Sequence, residues 1–273
     1  MHSRDSICIK SINIHGLRNA IKRKSFFNSL KRNPVDIVCV QESYITSNDI
    51  DQWEREWGGK FFSSPVSSHS MGQLILVRKN FPFDIDCIHT SERIIAVEVR
   101  LEDKIVILSN VYAPSVTQEK LLFFDALSKH IESINNTHHI VCGDYNSVLD
   151  NKLDIISGAN HPQREVEQFN DLLMPSDLFD LWRLFHPQEK EFTWCKKNPF
   201  IARRLDYILA TDAVINSTLS CDIFSVAQSD HRAVSMVYKV TNIQRGPSYW
   251  KFSDNLLYVE KFVGLVNTFI HKL

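Results

Sequence analysis

Short apolar runs broken by polar clusters recur along the chain, and they have two different spacings. Nine of them read as strands: 7–14, 35–41, 73–78, 93–101, 104–112, 138–142, 205–210, 219–225 and 233–240. The two runs flanking Glu102-Asp103 alternate apolar and polar positions, which predicts an antiparallel hairpin. Three stretches carry helical spacing instead. Residues 19–30 place Ile21, Phe26, Phe27 and Leu30 on one apolar side. Residues 118–134 do the same with Leu121, Leu122, Phe124, Leu127 and Ile131, opened by a Ser115/Gln118 capping box. Residues 163–173 follow Pro162, a residue suited to a first helical position. Adjacent strands with helices interspersed predict an α/β (or α+β) sandwich with mixed sheets. No internal repeat or low-complexity segment interrupts the pattern.

The pattern changes near residue 241. A Gly-Pro break in "TNIQRGPSYWKFSDNLL" follows the last strand. A new amphipathic segment then begins, with Leu256, Leu257, Val259, Phe262, Val263, Leu265, Val266, Phe269 and Ile270. The expected organisation is a globular domain over 1–240 and a linker with an amphipathic tail over 241–273, leading toward a further domain of a longer protein.

Composition narrows the class. The 273 residues are 44% apolar and 23% charged, as in a globular domain able to bury a sizeable core. A formal net charge of −1 argues against binding DNA by bulk phosphate neutralisation. Basic clusters at Lys22-Arg23-Lys24, Lys31-Arg32, Lys196-Lys197 and Arg203-Arg204 read individually as solvated faces. Six scattered cysteines without a C-x-x-C pair predict a reduced, intracellular chain without structural zinc. The N-terminus lacks the apolar core of a signal peptide, and no apolar run approaches membrane-spanning length.

The candidate chemistry lies at the strand ends. "INIHG" ends near Asn13, "VDIVCVQES" in Gln41-Glu42, "VILSNVYAPS" near Asn110 and Tyr112, and "HHIVCGDYN" in Asp144 and Asn146. "RRLDYIL" carries Asp206 at its start, and Ser229-Asp230-His231 precedes the final strand. Hard divalent cations take oxygen ligands. A phosphate-ester hydrolase needs such a cation, a group that positions water and donors for transition-state oxygens. Each residue alone also fits a plain structural role. Glu42 suits a solvated rim, Tyr112 a core closure, Asp206 an ion pair with Arg203 or Arg204, and His231 is one of eleven histidines.

Taken together and in order, Asn13, "QES" at 41–43, "NVYAP" at 110–114, "GDYN" at 143–146, "RLDYIL" at 204–209 and "SDHR" at 229–232 resemble the endonuclease/exonuclease/phosphatase superfamily. That superfamily includes DNase I, apurinic endonucleases, inositol phosphatases and deadenylases. The resemblance spans about residues 5–240. The tail "GPSYWKFSDNLL" is similar to the segment joining the apurinic-type endonuclease to the reverse transcriptase in LINE-type non-LTR retrotransposons. The resemblance implies a DNase I-like, four-layer sandwich of two mixed β-sheets flanked by helices. It implies Glu42 as main ligand of Mg²⁺ (or Mn²⁺), with Asn13 and Asp230 nearby. It implies Asp144 as the group activating water, Asn146 and Tyr112 on the phosphate or leaving oxygen, and His231 stabilising charge with its tautomer set by Asp206.

The implied activity is nicking of one strand of double-stranded DNA, in the nucleus, to leave a 3′-OH for target-primed reverse transcription. The implied partner is the downstream reverse transcriptase domain of the same polyprotein. The expected DNA contacts are Ser229, which can also orient its neighbours, and Lys196, Lys197, Phe200 and Arg203 of a hairpin loop beside the site. The alternatives are a same-fold phosphatase or phosphodiesterase acting on a small or lipid phosphate, and a catalytically silent binding domain. The first would want a strongly basic pocket. The second would want the loss of Glu42, Asp144 or His231, and all three are present.

Overall fold

The structure is a computed structural model, and it describes residues 5–240 except 34, 68, 69, 135, 174 and 175. All of these belong to the unit spanning Met1–Thr241. The expected linker and tail helix fall in the second unit, Asn242–Leu273, outside the described residues. In chain order the elements are β1 (Ser6–Asn13), α1 (Ala20–Arg32), β2 (Ile37–Gln41), α2 (Ile50–Trp57), β3 (Lys60–Ser64), β4 (Gln73–Val77), β5 (Asp84–Thr90), β6 (Ile94–Arg100), β7 (Ile105–Tyr112), α3 (Thr117–Ser133), β8 (His139–Asp144), β9 (Ile155–Ile156), α4 (Gln163–Leu173), β10 (Leu178–Asp180), α5 (Leu181–Phe185), β11 (Trp194–Lys196), β12 (Ile201–Arg203), β13 (Asp206–Thr211), α6 (Asp212–Ile215), β14 (Thr218–Ser225) and β15 (Arg232–Lys239).

Two six-stranded mixed sheets form the centre, ordered β14-β15-β1-β2-β4-β3 and β10-β13-β8-β7-β6-β5. The inner faces meet in one apolar layer, where Ile9, Ile37, Cys39 and Ile75 oppose Val97, Leu108, Ile140 and Ile208. The outer face of the first sheet packs Val38, Val40, Leu74 and Leu76 against Phe26, Phe27, Trp53 and Trp57 of α1 and α2. The outer face of the second packs Val111, Val141, Tyr207 and Leu209 against Phe123, Phe124, Leu127 and Phe169 of α3 and α4. Central strands covered on both faces need apolar side chains at consecutive positions, which is why β2 and β4 read as continuous apolar runs. The result is the DNase I-like, four-layer arrangement.

All nine predicted strands are present, and the 93–112 hairpin pairs antiparallel from Ile94↔Val111 to Arg100↔Ile105. Ile21 is 81% exposed and Leu122 is 71% exposed. The buried stripe of α1 is Arg23, Phe26, Phe27 and Leu30, and that of α3 is Lys120, Phe123, Phe124, Leu127 and Ile131. The Ser115/Gln118 capping box is not formed. Val116 holds the cap position of α3 without a side-chain bond, while Asn19 caps α1 through Ile21 and Lys22 N–H. The basic clusters are not uniformly solvated. Arg23 is buried on Glu56 and over Trp53, and Arg204 is buried on Asp154 and Asp180. Helix α2 was legible in Ile50, Trp53 and Trp57 but was missed. Edge strand β5 has one buried residue, Ile85, and so carried no alternation to read.

Gly143 does not end its strand. β8 continues through Asp144, and Gly143 has a φ of 154° with the space for its Cβ lying 1.9 Å from the Val111 carbonyl oxygen. A glycine is required there by the close approach of β7, not by a turn.

Candidate active site

Register brings the strand-end residues into two rows. In the second sheet Tyr112 of β7 and Asp206 of β13 both lie opposite Asp144 of β8. In the first sheet Asn13 of β1 lies opposite Gln41, and Glu42 follows at the end of β2. The two sheets are stitched just below by Gln41, whose Nε2 donates to Asn110 Oδ1 at 2.6 Å. The rows face one another at one end of the sandwich. There Asn13 Nδ2 donates to both Glu42 Oε1 and Asp144 Oδ2, each at 2.9 Å. An amide bridging two carboxylates across two sheets fixes both acids at once.

Around that bridge each acid has its own partners. Glu42 Oε1 also accepts from the Tyr112 hydroxyl at 2.9 Å, and Oε2 accepts from Tyr44 at 3.3 Å. Asp144 Oδ1 accepts the Asn146 backbone N–H at 2.8 Å. Asn146 Nδ2 donates to the Ala113 carbonyl at 2.9 Å, which leaves its second amide hydrogen and Oδ1 for the cleft. His231 Nδ1 lies 2.8 Å from Asp206 Oδ2, so the ring's Nε2 is directed away from the acid. His15, Glu42, Tyr44 and Asn146 account for four of the seven positive-φ residues other than glycine among the described residues. Such conformations cost ~1–3 kcal/mol each and gather where side chains must be aimed.

These groups line a cleft of about 350 Å³, with Asn13, Glu42, Asp144, Asn146, Asp230 and His231 on its walls. Burial and the neighbouring Asp206 push the Asp144 carboxyl up to about 7, against the pull of His231, Asn13 and the Asn146 N–H. Burial pulls His231 down, but the Asp206 carboxylate outweighs it, and the imidazolium is held up to about 10. Burial and the Glu42 charge raise Tyr112, which stays a hydroxyl donor.

The acids exceed the bases. Four carboxylates, Glu42, Asp144, Asp206 and Asp230, gather at the site with the His231 imidazolium and Arg203. Among the described residues Glu42 accepts from the neutral donors Asn13, Tyr112 and Tyr44, and buried Asp206 Oδ1 has no hydrogen-bond partner. Asp144, Asp206 and His231 lie within 4.8 Å of one another, with the imidazolium of His231 answering one of the two carboxylates and leaving the rest of the acid unmatched. This excess of hard oxygen donors fits a divalent cation.

Asp230 lies on the cleft rim, with Oδ1 3.3 Å from His15 Nδ1 and Oδ2 accepting from Trp194 Nε1 at 3.2 Å. Ser229 donates to the Asn13 carbonyl at 2.6 Å and accepts the His231 N–H at 3.0 Å. Its hydroxyl is therefore engaged inside the protein, where it joins the end of β1 to the His231 loop. Segment 194–203 is a hairpin of β11 and β12, with Lys196, Lys197 and Phe200 exposed and Arg203 on the cleft wall. Thr193 at its base was missed. Its Oγ1 accepts Leu205 and Asp206 N–H, and its carbonyl accepts Arg232 N–H, so it ties Asp206 to the His231 loop. Lone threonines carry no distinguishing sequence signal.

A hydrolytic site in which carboxylates, an amide and an Asp-paired imidazole hang from the strand ends of a two-sheet sandwich defines a phosphoester hydrolase of the nuclease and phosphodiesterase type. The chain belongs to the Endonuclease/Exonuclease/phosphatase family, whose model matches residues 11–231. It is 25% identical over 262 residues to the Transposon TX1 uncharacterized 149 kDa protein of Xenopus laevis. That match takes in 94% of this chain but 20% of the relative, so the chain spans about a fifth of that protein's length. Among solved structures it resembles AP endonuclease LMAP from Leishmania major, with a TM-score of 0.73 and 16% identity, covering 86% of this chain and 88% of that one. It also resembles the endonuclease domain of TRAS1, a telomere-specific non-LTR retrotransposon, with a TM-score of 0.65 and 13% identity, covering 86% and 99%. At such identities the structural likeness establishes the fold. Among the described residues no helix is long and apolar enough to cross a membrane.

Proposed function

We propose that this chain is a Mg²⁺-dependent (or Mn²⁺-dependent) endonuclease that nicks one strand of double-stranded DNA, leaving a 3′-OH to prime reverse transcription during retrotransposition. The chemistry rests on one observation, the meeting of Asp144 with the Asp206–His231 pair in an open, acid-rich cleft. The choice of a mobile-element DNA substrate rests on the match to the Xenopus transposon protein along nearly the whole chain. The likeness of the tail "GPSYWKFSDNLL" to the segment joining endonuclease to reverse transcriptase in LINE-type elements carries the proposal of a downstream reverse transcriptase domain as partner, and a chromosomal DNA substrate carries that of the nucleus as site of action.

Glu42, with Asn13 and Asp230 nearby, would hold the cation, which supplies charge neutralisation at the phosphate and leaving oxygens. Ionised Asp144 takes the proton of the attacking water. The water oxygen forms the new bond to phosphorus in line as the P–O3′ bond breaks, the leaving O3′ takes a proton from solvent, Asp144 returns its proton to solvent, and the products are a 3′-OH and a 5′-phosphate. His231 donates from Nε2 to a phosphate oxygen, with Asp206 holding its Nδ1 proton. Asn146 offers its free amide hydrogen to the scissile phosphate, and Tyr112 keeps its hydroxyl toward the leaving side. Lys196, Lys197 and Arg203 hold flanking phosphates, and Phe200, 57% exposed, probes a groove or flexible base step. A small polyphosphate substrate would call for several cations on the cleft wall, and among the described residues Arg203 and the His231 imidazolium are those that line it.

The test is incubation with supercoiled plasmid and Mg²⁺, with and without EDTA. Conversion to open circles in Mg²⁺ alone is expected. Plasmid that stays supercoiled in Mg²⁺ would overturn the proposal.

A further inference from the structure

Beneath the Asn146 loop lies a buried ion pair that the catalytic scheme does not use. Lys120, in the first turn of α3, is 2% exposed, and Glu165, in the first turn of α4, is 1% exposed. Lys120 Nζ donates to Glu165 Oε2 at 2.7 Å and to the backbone carbonyl of Asn146. Glu165 Oε1 accepts from the Thr117 hydroxyl, and His161 Nδ1 lies 3.4 Å from Oε2. The acid is thus held ionised. Burial would raise its pKa, and the Lys120 and Thr117 hydrogen bonds outweigh that and lower it.

We propose that Lys120, fixed by Glu165, is a positioning residue that sets the aim of Asn146 at the scissile phosphate. Three handles of Asn146 are tied. Its N–H goes to Asp144, its amide goes to Ala113, and its carbonyl is held by Lys120. The first two bonds lie within the site. The third comes from outside it and fixes the peptide of a residue at a φ of 47°, in the left-handed region that asparagine enters more readily than most residues but that is still uncommon. Releasing the carbonyl frees that peptide to rotate. Rotation swings the amide that must meet phosphate and loosens the N–H that orients the Asp144 carboxylate.

Stability alone does not account for the pair. Two charges taken out of water lose hydration that their mutual attraction only partly restores, so a well-packed apolar pair of similar volume holds a fold as well or better. An ion pair kept here, with one bond spent on the catalytic loop, serves geometry. The inference rests on reading Asn146 as a phosphate ligand.

The test compares wild type, Lys120→Met/Glu165→Leu and Lys120→Arg by steady-state hydrolysis and thermal melting. The substrates are a plain DNA duplex and bis(p-nitrophenyl) phosphate, a small diester. The double substitution should melt at or above wild type. Its kcat should nevertheless fall about ten- to a hundredfold on both substrates, the scale expected when a reacting group is displaced by about an ångström. KM for the duplex should stay within about threefold of wild type, and Lys120→Arg should recover part of kcat. A folded double variant with wild-type kcat would overturn the proposal. Should the double variant not fold, a cycle of Lys120→Gln with Asn146→Ala decides. Coupled losses are expected, and additive losses would overturn the proposal. If wild type hydrolyses the diester but not the duplex, the DNA reading fails while the positioning comparison still stands.

Discussion

Asp144 carries a negative charge in a place that resists one. It is buried, it faces Asp206 across the β8–β13 register, and both effects raise its pKa. A carboxyl poised at about 7 suits a general base working near neutrality. Asp144→Asn keeps the shape and the acceptor for the Asn146 N–H but removes the base. Hydrolysis should fall at least ~10²-fold in a variant that still melts cooperatively. Undiminished turnover by the folded variant would remove Asp144 from the base role. His231 behaves oppositely. Its folded pKa of about 10 lies above its ordinary value, so the imidazolium's contribution to stability is fully present below about 6.5 and is lost as pH rises through about 10. His231→Ala should cost ~3–4 kcal/mol of transition-state stabilisation, as the loss of one preorganised donor does. Asp206→Asn should bring the alkaline fall in rate down toward the ordinary histidine range and be non-additive with His231→Ala. An alkaline limb that does not move in the pH–rate profile would mean that Asp206 does not set the ring's charge.

At the scale of elements, the β11–β12 hairpin stands apart from the chemistry. Its base is locked by Thr193 onto Asp206 and Arg232, while its tip exposes Lys196, Lys197 and Phe200. Exchanging residues 196–200 for another turn should therefore change where a long duplex is nicked more than how fast. With the chain near neutral overall, it should also flatten the salt dependence of DNA binding. Identical nick maps together with an identical salt slope would exclude the hairpin as the specificity element. The basic, Pro-containing turn was legible beforehand, but its strands were not, because Trp194–Lys196 and Ile201–Arg203 are three residues each and too short to show a burial period. The α3–α4 pairing of Lys120 with Glu165 was not, since 45 residues separate them and nothing in the spacing of either helix marks a buried charge.

The molecule as a whole assembles a surplus of acid at one end of the sandwich and leaves it to be neutralised. Mg²⁺ should raise the melting temperature, by the equivalent of ~2.7 kcal/mol at a hundredfold excess over its Kd. The rise should grow with pH through about 7, because the raised Asp144 pKa means that metal-free stability is lost as that group ionises. Glu42→Ala should abolish most of the shift. A Glu42→Ala melt that responds to Mg²⁺ as wild type does would take Glu42 out of the ligand set. Strand positions, the mixed-sheet class and the strand-end acids were determined by the sequence itself, because the burial period and the polar residues closing each run are local properties of the chain. Sheet order, the one-for-one register of Tyr112, Asp144 and Asp206, and the Asn13 bridge between sheets were decided only by tertiary packing. So were the enclosure of Arg23 and Arg204 and the spending of Ser229 inside the protein. Each of these depends on which distant segment lies within hydrogen-bond or ion-pair reach, and that is set when the two apolar inner faces close on each other, not by any spacing along the chain.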